Sequence, residues 1–206
     1  MRKFGFTLTS LLALGASAAA AQNFTPYNEM PAGVYGLDNT HASLTWKVSH
    51  FGLADYTARF TDFDVELDFN PEDPTKSSLN VTVDPASVRT DYPTPEKEDF
   101  DKKLSKGADW FNAGEFPKIT FTSTSIKMTG EDTGEVTGDL TFLGVTKPAT
   151  LDVTFNGAYA EKPFAGVPAL GFSATGTIKR SDWGFDTYVP AIGDEVDLVI
   201  EVELQQ

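Results

Sequence analysis

The chain has 206 residues with no cysteine, 16 Lys+Arg against 30 Asp+Glu, 16 Phe, 17 Gly and 12 Pro. That length fits one ordinary domain, and the missing thiols exclude a disulfide scaffold, a Cys-based zinc site, an iron–sulfur protein and a thiol nucleophile. A formal net charge of −14 speaks against nucleic acid or an anionic membrane surface as a partner, while 40% hydrophobic residues are too many for a disordered acidic chain.

Met1-Arg2-Lys3 followed by the apolar run Phe4 to Ala16, with Ala19 and Ala21 ahead of Gln22, reads as a signal peptide over residues 1–21. The run is too short, and too often broken by Thr7, Thr9, Ser10 and Gly15, to serve as a membrane anchor. Its removal deepens the charge to −16 by taking away Arg2 and Lys3. The bacterial periplasm is the expected compartment. Residues 22–34 read as an N-terminal extension and 35–206 as a single domain.

Period-two alternation dominates that domain. Leu44, Trp46 and Val48 alternate with polar residues, and Phe63, Val65, Leu67 and Phe69 alternate with Asp62, Asp64, Glu66 and Asp68. The pattern returns at Leu79, Val81 and Val83. A helical insert of about residues 95–113 follows, with Thr94 as N-cap, Pro95 at the first position and a stripe of Phe100, Leu104 and Phe111. Gly107 interrupts it, so one helix and two short ones are both open. Ile119 and Phe121 are apolar at odd positions but Ile126 and Met128 at even ones, which predicts a bulge or bend within Thr122 to Ser125. Further strands come at Val136, Leu140 and Phe142, then Leu151, Val153 and Phe155, then Leu170, Phe172, Ala174 and Ile178, and finally Val196 to Leu204. Turns are expected at Asn70–Pro74, Thr129–Gly134, Asn156-Gly157 and Ile192–Asp194. About eight antiparallel strands result, each burying one face, which suits a closed barrel or a sandwich. Gly138, Ala174 and Gly176 lie in phase with the inward faces and mean either volume reserved for a ligand or bends at barrel corners.

Reactive constellations are few. His41 and His50 are nine residues apart, an odd separation that places them on opposite faces of one regular strand unless a turn intervenes near residues 41 to 43. The acid row from Asp62 to Asp68 lacks the glycine a calcium loop needs, and Gly171–Thr175 lacks the final glycine of a nucleophile elbow. No P-loop or dinucleotide fingerprint occurs. No catalytic residue, metal ligand or cofactor is assigned. Arg180 continues the inward phase of its strand, where it would bond the polar end of a ligand, pair with Asp182 or another rim acid, or lay its stem over the core with a wet head.

Taken in order, Asp38-x-x-His41-x-Ser43, His50-x-Gly52, Phe60-x-x-Phe63, Ser87-Val88-x-Thr90, Trp110-Phe111, Phe116-Pro117-Lys118-Ile119-Thr120-Phe121, Val136-x-Gly138-x-Leu140-Thr141-x-x-Gly144-Val145-Thr146-Lys147 and Arg180-x-Asp182-Trp183-Gly184 form a set running from about Tyr35 to Leu204. The set resembles the YceI-like family of bacterial periplasmic proteins. Ala58 and Leu143 depart from it, standing where members often have glycine and histidine, as do Lys102 and Lys103 in the insert. The resemblance implies an all-β, antiparallel, lipocalin-like barrel that binds a polyisoprenoid, an isoprenoid quinone or a fatty-acid-like amphiphile without catalysis. It implies an apolar tunnel lined by Trp46, Phe63, Val65, Leu67, Phe121, Phe142, Phe155 and Phe172. Phe100, Leu104, Trp110 and Phe111 would form a lid, with His50 and Arg180 as head-group contacts. The alternative is an enzyme acting on a lipid or quinone, which requires His41, His50 and Arg180 to converge in one pocket. Should the chain self-associate, barrel edges or the insert would form a homodimer.

Overall fold

Alternation becomes strand wherever it is clean. The computed structural model describes residues 23–206, and the signal peptide expected over residues 1–21 lies outside them. Ten strands occur: β1 (Gly33–His50), β2 (Ala54–Phe60), β3 (Phe63–Phe69), β4 (Ser78–Val83), β5 (Val88–Arg89), β6 (Ile119–Met128), β7 (Thr133–Phe142), β8 (Val145–Tyr159), β9 (Ala169–Lys179) and β10 (Ile192–Gln205). All pair antiparallel. Eight of them, β1, β3, β4 and β6 to β10, close into a barrel because β10 pairs back onto β1, with Leu44 opposite Ile200 and Trp46 opposite Leu198.

The other two strands lie outside the ring. One edge of β1 is shared, since its first residues pair with β3 from Gly33–Phe69 to Gly36–Glu66, and its second half pairs with β2 from Leu44–Phe60 to His50–Ala54. The short β5 continues β2 through Arg59–Arg89 and Phe60–Val88. Sequence alternation undercounts these strands because β5 is only two residues long and β2 is mixed in polarity, so neither carries a period. In β3 the pattern is complete: Phe63, Val65, Leu67 and Phe69 are buried and the acids between them are exposed.

Bulges set the strand geometry. The phase change expected in Thr122–Ser125 is a register shift between Ser123 and Ser125. A second shift separates Leu37 from Ala42 in β1, so the segment 38–41 leaves the ladder. Asn156-Gly157 makes no turn. It is a bulge inside β8, between Phe155 and Gly157. Ile192–Asp194 likewise opens β10 and is not a connection. A true tight hairpin joins β7 to β8, where Leu143 and Gly144 both take positive φ (48° and 74°), the geometry that matches strand twist in a two-residue turn.

The insert contains a single helix, α1 (Phe100–Lys106). Its N-cap is Asp99, whose carboxylate accepts from Lys102 N–H at 3.0 Å. Thr94 instead closes an isolated turn, accepting from Lys97 and Glu98, because a carboxylate at residue 99 supplies a fresh helix start. Gly107 ends α1, where a Cβ would stand 2.6 Å from the Trp110 ring and 2.7 Å from the Lys103 carbonyl. That close approach folds the chain back, and Phe111 N–H bonds the Leu104 carbonyl at 3.0 Å.

Candidate functional site

The barrel axis holds two apolar chambers. The first, of about 180 Å³, lies at the insert end, and Trp46, Phe121, Phe142, Leu104, Trp110, Phe111 and Arg180 all line it. The second, of about 170 Å³, lies at the opposite end and is lined by Phe63, Val65, Leu67, Phe155 and Phe172. Leu44, Val81, Leu151 and Ile200 border both, so they form the waist between them. These positions share the inward phase of their strands, which is why alternation alone found most of them.

Phe111 is the hub of the first chamber. Its ring meets Trp46 at 6.2 Å, Phe60 at 5.4 Å, Phe142 at 6.1 Å and Phe185 at 5.8 Å between centroids. Such tilted and edge-on contacts suit the ring quadrupoles. Phe185 comes from the loop before β10 and lies in no periodic segment, so no pattern announces it. Phe100 does not reach the chamber. It packs outside against Tyr56, Tyr92 and Trp110.

The glycines in phase with the lumen hold no vacant volume. A Cβ at Gly138 would lie 2.5 Å from the Phe121 ring and from the Thr122 carbonyl, and one at Gly176 would lie 2.8 Å from the Leu151 side chain. Both admit a neighbour's side chain, and Leu151 belongs to the waist.

At the far end the residues before β1 cross the barrel. Thr25 N–H bonds Ala158 O at 2.8 Å, and its hydroxyl accepts from Ala160 N–H at 3.0 Å. Tyr27 stands edge-on to Phe155 at 6.0 Å and borders the second chamber. Met30 is buried beside them in the same core. The extension is thus the floor of the lumen. Sequence pattern missed it because a crossing segment of ten residues has no period.

The polar candidates do not converge. His50 is exposed at the end of β1, edge-on to Phe51 at 4.6 Å, and borders neither chamber. A strand end that emerges from the barrel turns its last side chain to solvent. His41 sits in the β1 bulge near the other end, its Nδ1 2.9 Å from Asp38. Nine residues of strand separate the two, roughly 30 Å. Arg180 borders the first chamber, yet its head is neither wet nor paired with Asp182, which faces Lys147 at 3.7 Å. Arg180 donates from Nε to Gly193 O (2.8 Å), from Nη1 to Phe185 O (3.0 Å) and from Nη2 to Ile192 O (2.9 Å), and stacks over Phe185. The guanidinium thus ties the loop at Phe185 to the first two residues of β10. Burial pulls its pKa down, with Asp194 and Asp186 opposing the shift.

A second polar cluster lies at the β1 bulge. The Asp38 carboxylate accepts from Lys162 Nζ (2.9 Å), Gln205 Nε2 (2.7 Å), the Thr40 hydroxyl (2.6 Å) and Thr40 N–H (3.0 Å), with His41 Nδ1 also in reach. Lys162 above all, then Thr40 and His41, hold the carboxyl far below its ordinary range. Lys162 bridges Asp38 to Glu203 at 2.5 Å, and its charge survives desolvation because both acids raise its pKa. Asp38, His41 and Glu203 are spaced to ligate a metal ion. The Lys162 ammonium already fills the cationic place between the two acids.

Residues 35–204 match the YceI-like domain. The chain belongs to the YceI-like family. It is 36% identical to Protein YceI of Escherichia coli O17:K52:H18 (strain UMN026 / ExPEC) over 201 residues, 97% of this chain and 94% of that one. The crystal structure of Campylobacter jejuni YCEI protein, 33% identical, superposes with a TM-score of 0.66 over 78% of this chain and 90% of that one. A polyisoprenoid binding domain from Saccharophagus degradans shares the fold at a TM-score of 0.64 and 15% identity, over 85% and 99% of the two chains. Several YceI-like motifs now have physical roles. Asp38-x-x-His41 is the bulge cluster. Arg180-x-Asp182-Trp183-Gly184 is a 3-10 turn capped by Gly184 at φ 80°, in which Trp183 donates to Leu140 O at 3.1 Å. Phe116 packs on Gly144, where a Cβ would lie 2.8 Å from its ring.

Proposed function

We propose that this protein is an exported carrier that holds one long-chain amphiphile, of polyisoprenoid, isoprenoid quinone or fatty-acid type, in the barrel lumen and performs no chemistry on it. The observation that carries this reading is the pair of chambers joined end to end, with aromatic and aliphatic side chains from all eight strands of the barrel and from the insert turned inward. An apolar chain laid through them gains about 25 cal/mol per Å² removed from water, enough for useful affinity with no catalytic group. The similarity in fold to a polyisoprenoid binding domain supports the same class of ligand. The exposed acids of β3 keep a loaded carrier soluble. Export to the periplasm rests on the sequence of residues 1–21, and no helix among the described residues is long and apolar enough to cross a membrane. His41, His50 and Arg180 share no pocket, which favours the carrier over the enzyme alternative.

Organic extraction and native mass spectrometry of the purified mature protein test the reading. A stoichiometric long-chain lipid is expected. Repeated recovery of lipid-free protein that takes up no added prenol overturns it.

A further inference from the structure

Trp46 lies on the inward face of β1, is only 8% exposed, and borders the insert-end chamber. Among the described residues its Nε1 is the one buried side-chain nitrogen or oxygen with no hydrogen-bond partner. Buried N–H groups are rarely left so. The indole of Trp183, buried to a similar extent, donates to Leu140 O. Nothing comparable reaches Trp46, whose neighbours at the hub are rings such as Phe111.

The rest of the chamber decides what kind of acceptor belongs there. Arg180 is its one charged lining residue, and all three guanidinium nitrogens are already committed to the carbonyls of Phe185, Ile192 and Gly193. An anion that recruited this guanidinium would strip those three carbonyls of their partner, and a carboxylate or phosphate without it would be a bare charge among hydrocarbon. Among the described residues Thr120 supplies the one hydroxyl of the lining, and the indole of Trp110, half-buried at the insert, is its other N–H besides that of Trp46.

Resting on the carrier reading, we propose that Trp46 Nε1–H is the donor that fixes the polar end of the ligand, and that it selects an uncharged oxygen, a hydroxyl or carbonyl on a long apolar chain, over a phosphate or carboxylate. The polar end then sits beside the insert, and the chain runs through the waist into the second chamber.

The test is a titration of the delipidated mature protein with three probes: a long-chain prenol, squalene as a hydrocarbon without any acceptor, and the prenyl phosphate of the same chain length as the prenol. Wild type and Trp46→Phe are compared, and the Trp indole N–H resonances of ¹⁵N-labelled wild type are followed. The proposal expects Trp46→Phe to weaken prenol binding roughly three- to tenfold, the range of one net hydrogen bond, while squalene binding changes less than twofold. It also expects the Trp46 indole resonance to move downfield with prenol and not with squalene. That wild-type measurement stands even should the variant fold poorly. Equal losses for prenol and squalene, an indole resonance indifferent to the oxygen, or tighter binding of the phosphate than of the prenol would each overturn the proposal while leaving the carrier reading intact. If none of the three probes binds, both fall together.

Discussion

The ring of Phe24 rests on the bare backbone of Gly157: a Cβ at that glycine would stand 2.8 Å from three of its ring carbons. This contact joins the segment ahead of the barrel to the bulge of β8, next to the Thr25–Ala158 hydrogen bond and the Tyr27–Phe155 ring contact that hold the same segment. Gly157 also has φ at +143°, where an L side chain is strained.

Gly157→Ala should therefore cost twice, through backbone strain and through displacement of Phe24. The expected loss is about 2 kcal/mol, or a fall in Tm of roughly 4–8 °C for a chain of this size. Thermal unfolding followed by circular dichroism measures it. An unchanged Tm would mean that the floor is not anchored by this contact.

Arg180→Ala removes the common partner of three carbonyls, those of Phe185, Ile192 and Gly193, and opens the buried site of the guanidinium. Losses of about 3 kcal/mol or more are expected, well above those of a surface arginine. Chemical denaturation checks this, and His50→Ala provides the contrast. Exposed at the strand end, His50 should change stability by less than about 0.5 kcal/mol and leave ligand retention untouched.

Asp38→Asn keeps the size of the side chain but removes the charge that holds Lys162. The expected cost is about 1–2 kcal/mol near neutral pH. Because folding holds the Asp38 pKa below its ordinary value of 3.8, the wild-type advantage is fully present above that value and is lost as pH falls through the depressed one. Denaturation midpoints of both proteins between pH 7 and 2 should converge only at the acid end. Convergence at neutral pH would show that the cluster is not held by charge.

Ile200→Trp narrows the waist, and the carrier reading makes a definite forecast for it. A single chain threaded through both chambers should be excluded or replaced by a shorter one, detectable as a lower mass in the organic extract. Leu204→Met, away from the waist, controls for general repacking. Retention of the same lipid by Ile200→Trp would place the ligand in one chamber only.

What the sequence determined by itself was the inside and outside of this protein. Strand geometry places successive side chains on opposite faces, so a list of alternating residues is already a list of lumen and solvent positions. Phe63, Val65 and Leu67 needed no coordinates, nor did the bulge in β6, because a change of phase has one simple cause. The tertiary structure alone decided whatever depends on meetings between distant segments. Periodicity is silent on which carbonyls would claim Arg180, that His41 and His50 would end far apart, and that Gly138 would admit the ring of Phe121. It is equally silent on Phe185 and on the crossing segment of Tyr27, which belong to no repeating element. Above all, an indole N–H without a partner is visible only once every neighbour of Trp46 is in place.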